Sequence, residues 1–512
     1  MLRAARYVRA AGGVEATRVF THIWLALFGL WPWDELPALP PELMLLPPWV
    51  PLNVYDFACW ARQTIVALTI VLAERPVRTL PFGIDELRTG VTPPAQHAKR
   101  WSGAWLVEGL ERSARVYQRR PLRWLRRLSL ARAEHWIVRR QEADGSWGGI
   151  QPPWVYSLIA LSLRGYPLDH PVMSKGLDGL ERFTIEDGDV RRLEACQSPV
   201  WDTALSVIAL ADAGVRPDDP ALLRAADWLL GEEVRVRGDW AVRRPELEPG
   251  GWSFEYENDN YPDVDDTAEV ALALRRVDHP DRERVEAALA RATRWMLGMQ
   301  SRSGGFGAFD ADNTRSLCRD LPFCDFGEVI DPPSADVTAH AIEFLGVEGL
   351  ERDPRTLDAL RWLLGEQEDD GPWFGRWGVN YIYGVGAAVP ALVAAGMDPS
   401  DEPIAKAIRW IEEHQNDDGG FGEDPRSYDD PAWRGRGSST ASQTAWALIA
   451  MHAAGRRGES VERAVRWLVD TQLPDGTWDE PQFTGTGFPG DFYINYHLYR
   501  LVFPLMALGR LT

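Results

Sequence analysis

One pattern restricts the fold of this chain more than any other: a Trp, a Gln five positions later, and a turn of the form Gly-x-aromatic that closes the unit. Five copies keep this register: Trp136, Gln141, Gly145, Trp147; Trp295, Gln300, Gly304, Phe306; Trp362, Gln367, Gly371, Trp373; Trp410, Gln415, Gly419, Phe421; and Trp467, Gln472, Gly476, Trp478. A sixth, worn copy reads Trp228, Glu233, Gly238, Trp240. In each copy a helix is expected to end near the Gln, with a Gly turn after it, often preceded by Asp as in Asp144-Gly145 and Asp475-Gly476. The stretches between copies, such as 204–213 and 442–451, have helical apolar periodicity, and strands are scarcely signalled. Repeated helix pairs leave two all-α architectures, an open solenoid or a closed double ring of inner and outer helices, and the uneven spacing favours the ring. The unit also explains much of the 24 Trp: a turn aromatic can stack on the Gln amide, whose remaining donors and acceptors can tie one outer helix to the next.

At 512 residues and 45% hydrophobic, the chain can build two or more cored domains. A net charge of -20 argues against nucleic acid as a partner. Cys59, Cys196, Cys318 and Cys324 show no CxxC pair or zinc spacing, which favours reduced thiols and no structural metal. Arg3, Arg6 and Arg9 ahead of an apolar stretch imitate a secretory signal, but Glu15, Arg18 and His22 interrupt it and no small-residue cleavage site follows Leu30. No run reaches the 18 or so apolar residues of a membrane span.

Three carboxylates crowd into four residues at Asp263, Asp265 and Asp266, ahead of a helix-prone run. Out of water, like charges this close do not all ionise cheaply, so at least one carboxyl is expected to hold a proton that a substrate can take. The plainer reading is an acidic helix start, with Asp capping amides at the positive end of the dipole.

The repeat and this Asp-Val-Asp-Asp-Thr-Ala run together resemble the squalene-hopene cyclases, bacterial class II terpene cyclases. The resemblance continues through Gly148-Gly149-Ile150-Gln151-Pro152-Pro153-Trp154, Ser198-Pro199-Val200-Trp201-Asp202, Asp336-Val337-Thr338-Ala339-His340, Arg376-Trp377-Gly378-Val379-Asn380-Tyr381-Ile382-Tyr383 and Thr486-Gly487-Phe488-Pro489-Gly490-Asp491-Phe492-Tyr493. It implies two α/α barrels of the toroid type with a cavity between them: residues 1–195 with a membrane-contacting helix, and residues 196–512 with the acid motif. Family members usually continue upstream of Met1, so the first barrel is expected to be incomplete.

By similarity Asp265 donates the proton, flanked by Asp263 and Asp266. His340 hydrogen-bonds the donor, and Tyr383 helps order and recharge it. Protonating an unactivated alkene needs an unusually strong acid, and an imidazolium bonded to one carboxyl oxygen favours loss of the proton from the other. Aromatic faces stabilise the migrating cation without offering a nucleophile. The matching positions are Trp60, Trp201, Phe254, Phe309, Trp377, Phe488, Phe492, Tyr493, Tyr496 and Tyr499. Some relatives carry Tyr where this chain has Phe309. Ile150, Gln151 and Pro152 match the segment that handles the terminating water, and Phe323 and Cys324 match a constriction on the entry channel.

Two decoys are set aside. Asp265-Asp266-Thr267-Ala268-Glu269 also reads as the magnesium-binding DDxxE of cyclases that ionise a diphosphate, but Asp263 and its surroundings argue against it. Asp310-Ala311-Asp312-Asn313 opens like a calcium loop, yet Arg315 stands in place of its Gly and Leu321 in place of its Glu. From Arg112 to Arg140 there are ten Arg and one acid, Glu134, interleaved with Leu122, Trp124, Leu125, Leu128 and Leu130. Such a segment suits an anionic membrane surface, or else pairs with acids elsewhere.

The resemblance thus implies a cofactor-free enzyme that cyclises squalene to hopene or hopanol. Its expected place is monotopic, on the cytoplasmic face of the cell membrane, and a homodimer fits the family. The alternatives are a cyclase of another prenyl substrate and a non-catalytic helical scaffold. The third Asp, where oxidosqualene enzymes typically place Cys, argues against oxidosqualene.

Overall fold

The computed structural model describes residues 2–91, 103–325 and 327–511, with backbone alone for 103–106. The chain forms two compact units, Met1–Ala195 with Thr314–Ile330, and Cys196–Asn313 with Asp331–Thr512.

The first unit contains α1 (Leu2–Ala10), α2 (Val19–Leu27), α3 (Cys59–Glu74), α4 (Gly103–Arg119), α5 (Arg123–Val138), α6 (Gln151–Leu163) and α7 (Pro171–Arg182), then an antiparallel hairpin of β1 (Thr184–Asp187) and β2 (Val190–Leu193). Helix α3 is its axis. Buried from Thr64 to Leu72, it packs on both α5 and α6.

The second unit contains α8 (Pro199–Asp212), α9 (Pro220–Gly231), α10 (Val264–Leu274), α11 (Arg282–Met299), α12 (Ala335–Val347), α13 (Pro354–Gly365), α14 (Tyr381–Ala394), α15 (Glu402–Glu413), α16 (Ala441–Ala453), α17 (Glu459–Thr471), the hairpin β3 (Gly485–Phe488) and β4 (Phe492–Ile494), and α18 (Tyr499–Leu511). Here α8, α10, α12, α14, α16 and α18 pack each on the next, and α18 returns to α8. They close an inner ring. Helices α9, α11, α13, α15 and α17 each pack outside the inner helix that precedes them in sequence. This is the α/α toroid that the repeat favoured over an open solenoid.

Residue periodicity explains which helix goes where. Helices α10 and α16 are buried on nearly every face, as inner helices must be, whereas α15 and α17 are strongly amphipathic and bury one stripe. Two outer helices, α9 and α13, start on Asp-Pro, where the Asp side chain caps and Pro occupies the first helical position: Asp219-Pro220 and Asp353-Pro354.

The Gln of each repeat acts through its amide N–H groups. In the second unit Gln300 Nε2 donates to Gly304 O and Arg355 O (both 2.7 Å), Gln367 to Gly371 O (2.7 Å) and Pro403 O (2.9 Å), and Gln415 to Gly419 O and Ser460 O (both 2.8 Å). One bond closes the local turn. The other reaches the first turn of the next outer helix. Gln141 does the same in the first unit, to Gly145 O and Val172 O. The closing Trp donates its indole N–H back to its own helix, Trp147 to Ile137 O (2.8 Å), Trp373 to Leu363 O (2.7 Å) and Trp478 to Leu468 O (2.8 Å). At Gly145, φ is +97° and an added Cβ would lie 2.2 Å from Lys175 O, so only Gly fits that turn.

The worn sixth copy is corrected by the same geometry. Its closing aromatic is Trp252, which donates to Leu229 O at 2.6 Å, so that 24 positions rather than eleven separate it from Trp228. The intervening loop carries Trp240 into a separate contact with Trp295. In place of the Gln amide, Glu233 takes a two-point ion pair from Arg291 (2.6 and 2.7 Å). Replacing Gln415 by Ala strands two carbonyl acceptors and is expected to cost about 1–3 kcal/mol. A lowered urea midpoint with unchanged turnover per folded molecule is the expected measurement.

Candidate active site

Helix α10 starts where it does because Asp263 caps it, its Oδ1 accepting the amide of Asp266 at 2.8 Å. The capping interpretation of the acidic cluster therefore holds for Asp263. It does not account for Asp265. One position into the helix, Asp265 projects to α12, where His340 Nδ1 lies 2.5 Å from its Oδ1. Both are buried. One turn along α10, Glu269 places Oε1 4.0 Å from the same imidazole nitrogen.

Electrostatics divide these groups. Burial pushes Asp263 up to about 8, and pushes Asp266 well above the usual carboxylate range with help from the charges of Asp263 and Asp265. Burial likewise raises Glu269 to about 7, against the pull of the imidazolium. For His340 burial acts downward, but the charge and hydrogen bond of Asp265, with Glu269 behind them, outweigh it and carry the ring to about 10. Opposite an ionised Asp265 the imidazole is charged at neutral pH, and the two flanking aspartates keep their protons.

Aromatic rings surround this pair. The Tyr383 ring meets His340 edge-on at 6.2 Å, with its phenol pushed well up by burial, and Trp201 lies 6.5 Å from the imidazole. Trp201 Nε1 donates to Tyr499 OH (3.2 Å), and Tyr499 stacks on Tyr496 at 4.4 Å. Phe309 and Trp377 meet edge-on at 6.4 Å. Two buried carboxylates hold these last two. Asp331 accepts the amide of Phe309 (2.6 Å), and Asp336, one turn before His340, accepts those of Arg376 (2.8 Å) and Trp377 (2.7 Å). Phe254 packs against the same core. Phe488 lies 6.0 Å from the Arg376 guanidinium, Tyr493 stacks on Tyr428, and Phe492 is 38% exposed at the hairpin.

Other candidates belong to the first unit. Trp60 donates its indole N–H to Glu328 O at 2.7 Å, and Phe323 packs on Phe57 at 6.0 Å. Burial pushes the Cys324 thiol up. Ile150 precedes α6, and Gln151 and Pro152 open it. Sequence reading assigned no site role to Glu269, Asp336, Trp446 or Phe503. The i, i+4 spacing of Asp265 with Glu269 and of Asp336 with His340 was the available signal. Trp446 meets Tyr383 at 4.8 Å and Phe503 at 5.4 Å, closing the wall on a third side.

Residues 1–189 match the squalene-hopene cyclase N-terminal domain, and residues 197–512 match the squalene-hopene cyclase C-terminal domain. The chain belongs to the squalene-hopene cyclase family. It is 50% identical to the squalene-hopene cyclase of Alicyclobacillus acidocaldarius over 515 residues, covering 100% of this chain and 82% of that one. It is 39% identical to the enzyme of that name from Zymomonas mobilis (100% and 80%), and 38% identical to a dammaradiene synthase from Dryopteris crassirhizoma (99% and 78%). In fold it resembles the ent-copalyl diphosphate synthase of Streptomyces platensis, with a TM-score of 0.50 at 19% identity over 91% of this chain and 77% of that one. Membership gives the aspartate–imidazolium pair its chemical context, a family that forms carbocations from polyenes.

Proposed function

We propose that this chain is a proton-initiated cyclase that converts squalene to hopene or hopanol, with Asp265 as the acid. The observation that carries the reading is the 2.5 Å contact from His340 Nδ1 to Asp265 Oδ1. With Oδ1 engaged, the proton to be transferred resides on Oδ2. The terminal alkene takes that proton with its π pair, forming a C–H bond and a tertiary cation, and the carboxylate left behind faces an imidazolium. Successive alkenes then attack the cation as rings close. Loss of a proton from the last cation gives hopene; capture of water and loss of its proton gives hopanol.

Asp263 and Asp266, neutral in their buried setting, spare the donor two adjacent negative charges that would weaken it as an acid. Trp201, Phe309, Trp377, Tyr383, Tyr496 and Tyr499 present faces and edges but no basic nitrogen, so a cation is stabilised without being trapped, by roughly 0.5–2 kcal/mol for each well-placed ring. Gas chromatography of lipids after incubation with squalene tests the function: hopene or hopanol is expected, and its absence from folded protein would remove the reading. Phe309→Tyr changes the dipole beside Trp377. It is expected to alter the hopene-to-hopanol and incompletely cyclised fractions by about 2- to 30-fold, the range that such a cation–ring energy implies.

We propose further that the protein acts on the cytoplasmic face of the cell membrane, as a monotopic enzyme and as a homodimer. No helix among the described residues is long and apolar enough to cross a membrane. Support for surface contact comes from α4 and α5, which break at Pro121 and expose Arg119, Arg120, Arg123, Arg127 and Arg132 alongside Leu122, Trp124 and Leu128. Arg126 and Arg115 instead pair with Glu42 and Glu111. Exposed apolar and cationic side chains interleaved along one segment suit an anionic interface.

A further inference from the structure

The second unit has six inner helices and, among the described residues, five outer ones; α18 is the inner helix on which none packs as α9 packs on α8. Its sequence is nevertheless that of a covered helix. Phe503, Met506 and Arg510 face the inside of the ring. Leu501, Leu505 and Leu508 fall on the opposite side of α18 at helical spacing, and they stay partly exposed. By contrast α10, which carries α11 outside it, is buried along its whole length.

The last repeat shows the same gap from one side. Gln300, Gln367 and Gln415 each close their own turn and also reach the second residue of the next outer helix, at Arg355 O, Pro403 O and Ser460 O. Gln472 closes its turn on Gly476 O (3.0 Å), is exposed, and makes no second bond among the described residues. The turn glycines agree. A Cβ added at Gly304, Gly371 or Gly419 would lie 2.7, 2.8 or 2.9 Å from a carbonyl of the next outer helix, that of Asp358, Lys406 or Arg463. Each of these stands three positions beyond the residue that the Gln bonds. At Gly476 an added Cβ meets nothing within 4 Å. Val469, three positions before Gln472, is 58% exposed, whereas Leu297 and Leu364, in the same place before Gln300 and Gln367, are partly buried.

Across the gap, α9 carries the complement. Ala221 is its second residue, as Arg355 is of α13, yet no Gln among the described residues donates to its carbonyl. A donor on α17, an acceptor on α9 and a leucine stripe between them are the footprint of one more outer helix. These groups define it: 12 or 13 residues, as in α13, α15 and α17, two carbonyls one turn apart at its start, and one apolar stripe. The outer helices of a second copy are each held in their own ring, so they are not free to fill this place.

We propose that α17, α18 and α9 form a docking groove for one amphipathic helix of a separate polypeptide, which completes the outer ring. The second residue of that helix accepts a hydrogen bond from Gln472 Nε2. Its carbonyl one turn later lies over Gly476, and its apolar stripe covers Leu501, Leu505 and Leu508.

A fluorescein-labelled peptide of residues 400–416 is the probe, because in its own place this α15 segment seats on Gln367 and Gly371 through the carbonyls of Pro403 and Lys406. It is titrated into the full chain and followed by fluorescence anisotropy. Saturation at one peptide per chain is expected. Gln472→Ala should weaken it about two- to tenfold, the worth of one hydrogen bond. Binding should be lost in Leu505→Glu, and with a peptide carrying Ile408→Asp in its buried stripe. Both protein variants change exposed or partly exposed side chains, so circular dichroism should match that of the unmodified chain. The absence of saturable binding would overturn the proposal, as would binding that survives Leu505→Glu or is unchanged in Gln472→Ala. Light scattering tests the other occupant: a dimer that Leu505→Glu splits into monomers would place a second copy on this face and overturn the proposal as well.

Discussion

Asp265→Asn is expected to leave a folded, helical protein that forms no detectable hopene from squalene. The amide is close in shape and can still accept a hydrogen bond from the His340 ring at the position of Oδ1, 2.5 Å away in the unmodified protein. What it lacks is a transferable proton of any useful acidity. Proton transfer to the alkene is the step that creates the cation, and no later ring closure begins without it, so the loss should exceed the roughly 10²–10⁴-fold typical of removing a general acid. Product analysis by gas chromatography, beside circular dichroism of the same preparation, is the check. Turnover within about tenfold of wild type would remove Asp265 from its role.

His340→Gln is the second large effect. Glutamine retains an N–H that can reach Asp265 Oδ1 but carries no charge, so it separates the hydrogen bond from the electrostatics. A loss of about 10²–10³-fold in turnover is expected, the scale for removing one preorganised charge-stabilising donor. The pH dependence of stability gives an independent reading. His340 keeps its proton in the folded protein up to about pH 10, whereas an unfolded imidazole releases it near 6.5. The folded state therefore binds more protons between these values. Its stabilisation is complete below about pH 6.5 and is lost as pH rises through 10. Asp263 and Glu269, raised to about 8 and 7 from ordinary carboxylate values, act in the same direction at lower pH. Thermal stability of the unmodified protein should thus decline from about pH 4 to 10. In His340→Gln the decline above about pH 8 should become shallower, with the buried Asp266 carboxyl, also raised, supplying part of what remains. An unchanged upper limb would mean that the imidazole is not charged in the folded state.

The repeat was legible because its determinants are close in sequence. Trp, Gln, Gly and the closing aromatic lie within eleven positions, and each acts on nearby backbone or on the start of the next outer helix. Where a loop intervenes, as before Trp252, the same contact becomes invisible to a fixed register. The two hairpins were missed for a related reason: strands of three and four residues, such as 492–494 and 485–488, carry too few alternations to stand out. The acid pair is the opposite case. Spacing made Asp263, Asp265 and Asp266 conspicuous, but nothing in the sequence near His340 brings it 75 positions back to Asp265; only the resemblance did. Glu269 was visible but read inside a metal-binding pattern, because its position beside His340 depends on how α10 packs against α12.

The Gln clamp has a consequence for how such a protein can diverge. Its amide contacts main-chain carbonyls, Arg355 and Ser460 among them, and a carbonyl is the same whatever side chain it bears. The scaffold is thus indifferent to most of its own sequence. Drift on the outer helices leaves the toroid's geometry untouched, while the inner wall is free to exchange one ring or aliphatic group for another and try a different product. A mutant library that fixes the five Gln and randomises the wall beside Phe309 and Trp377 should therefore retain folded members at a far higher frequency than one that spares the wall and varies the Gln.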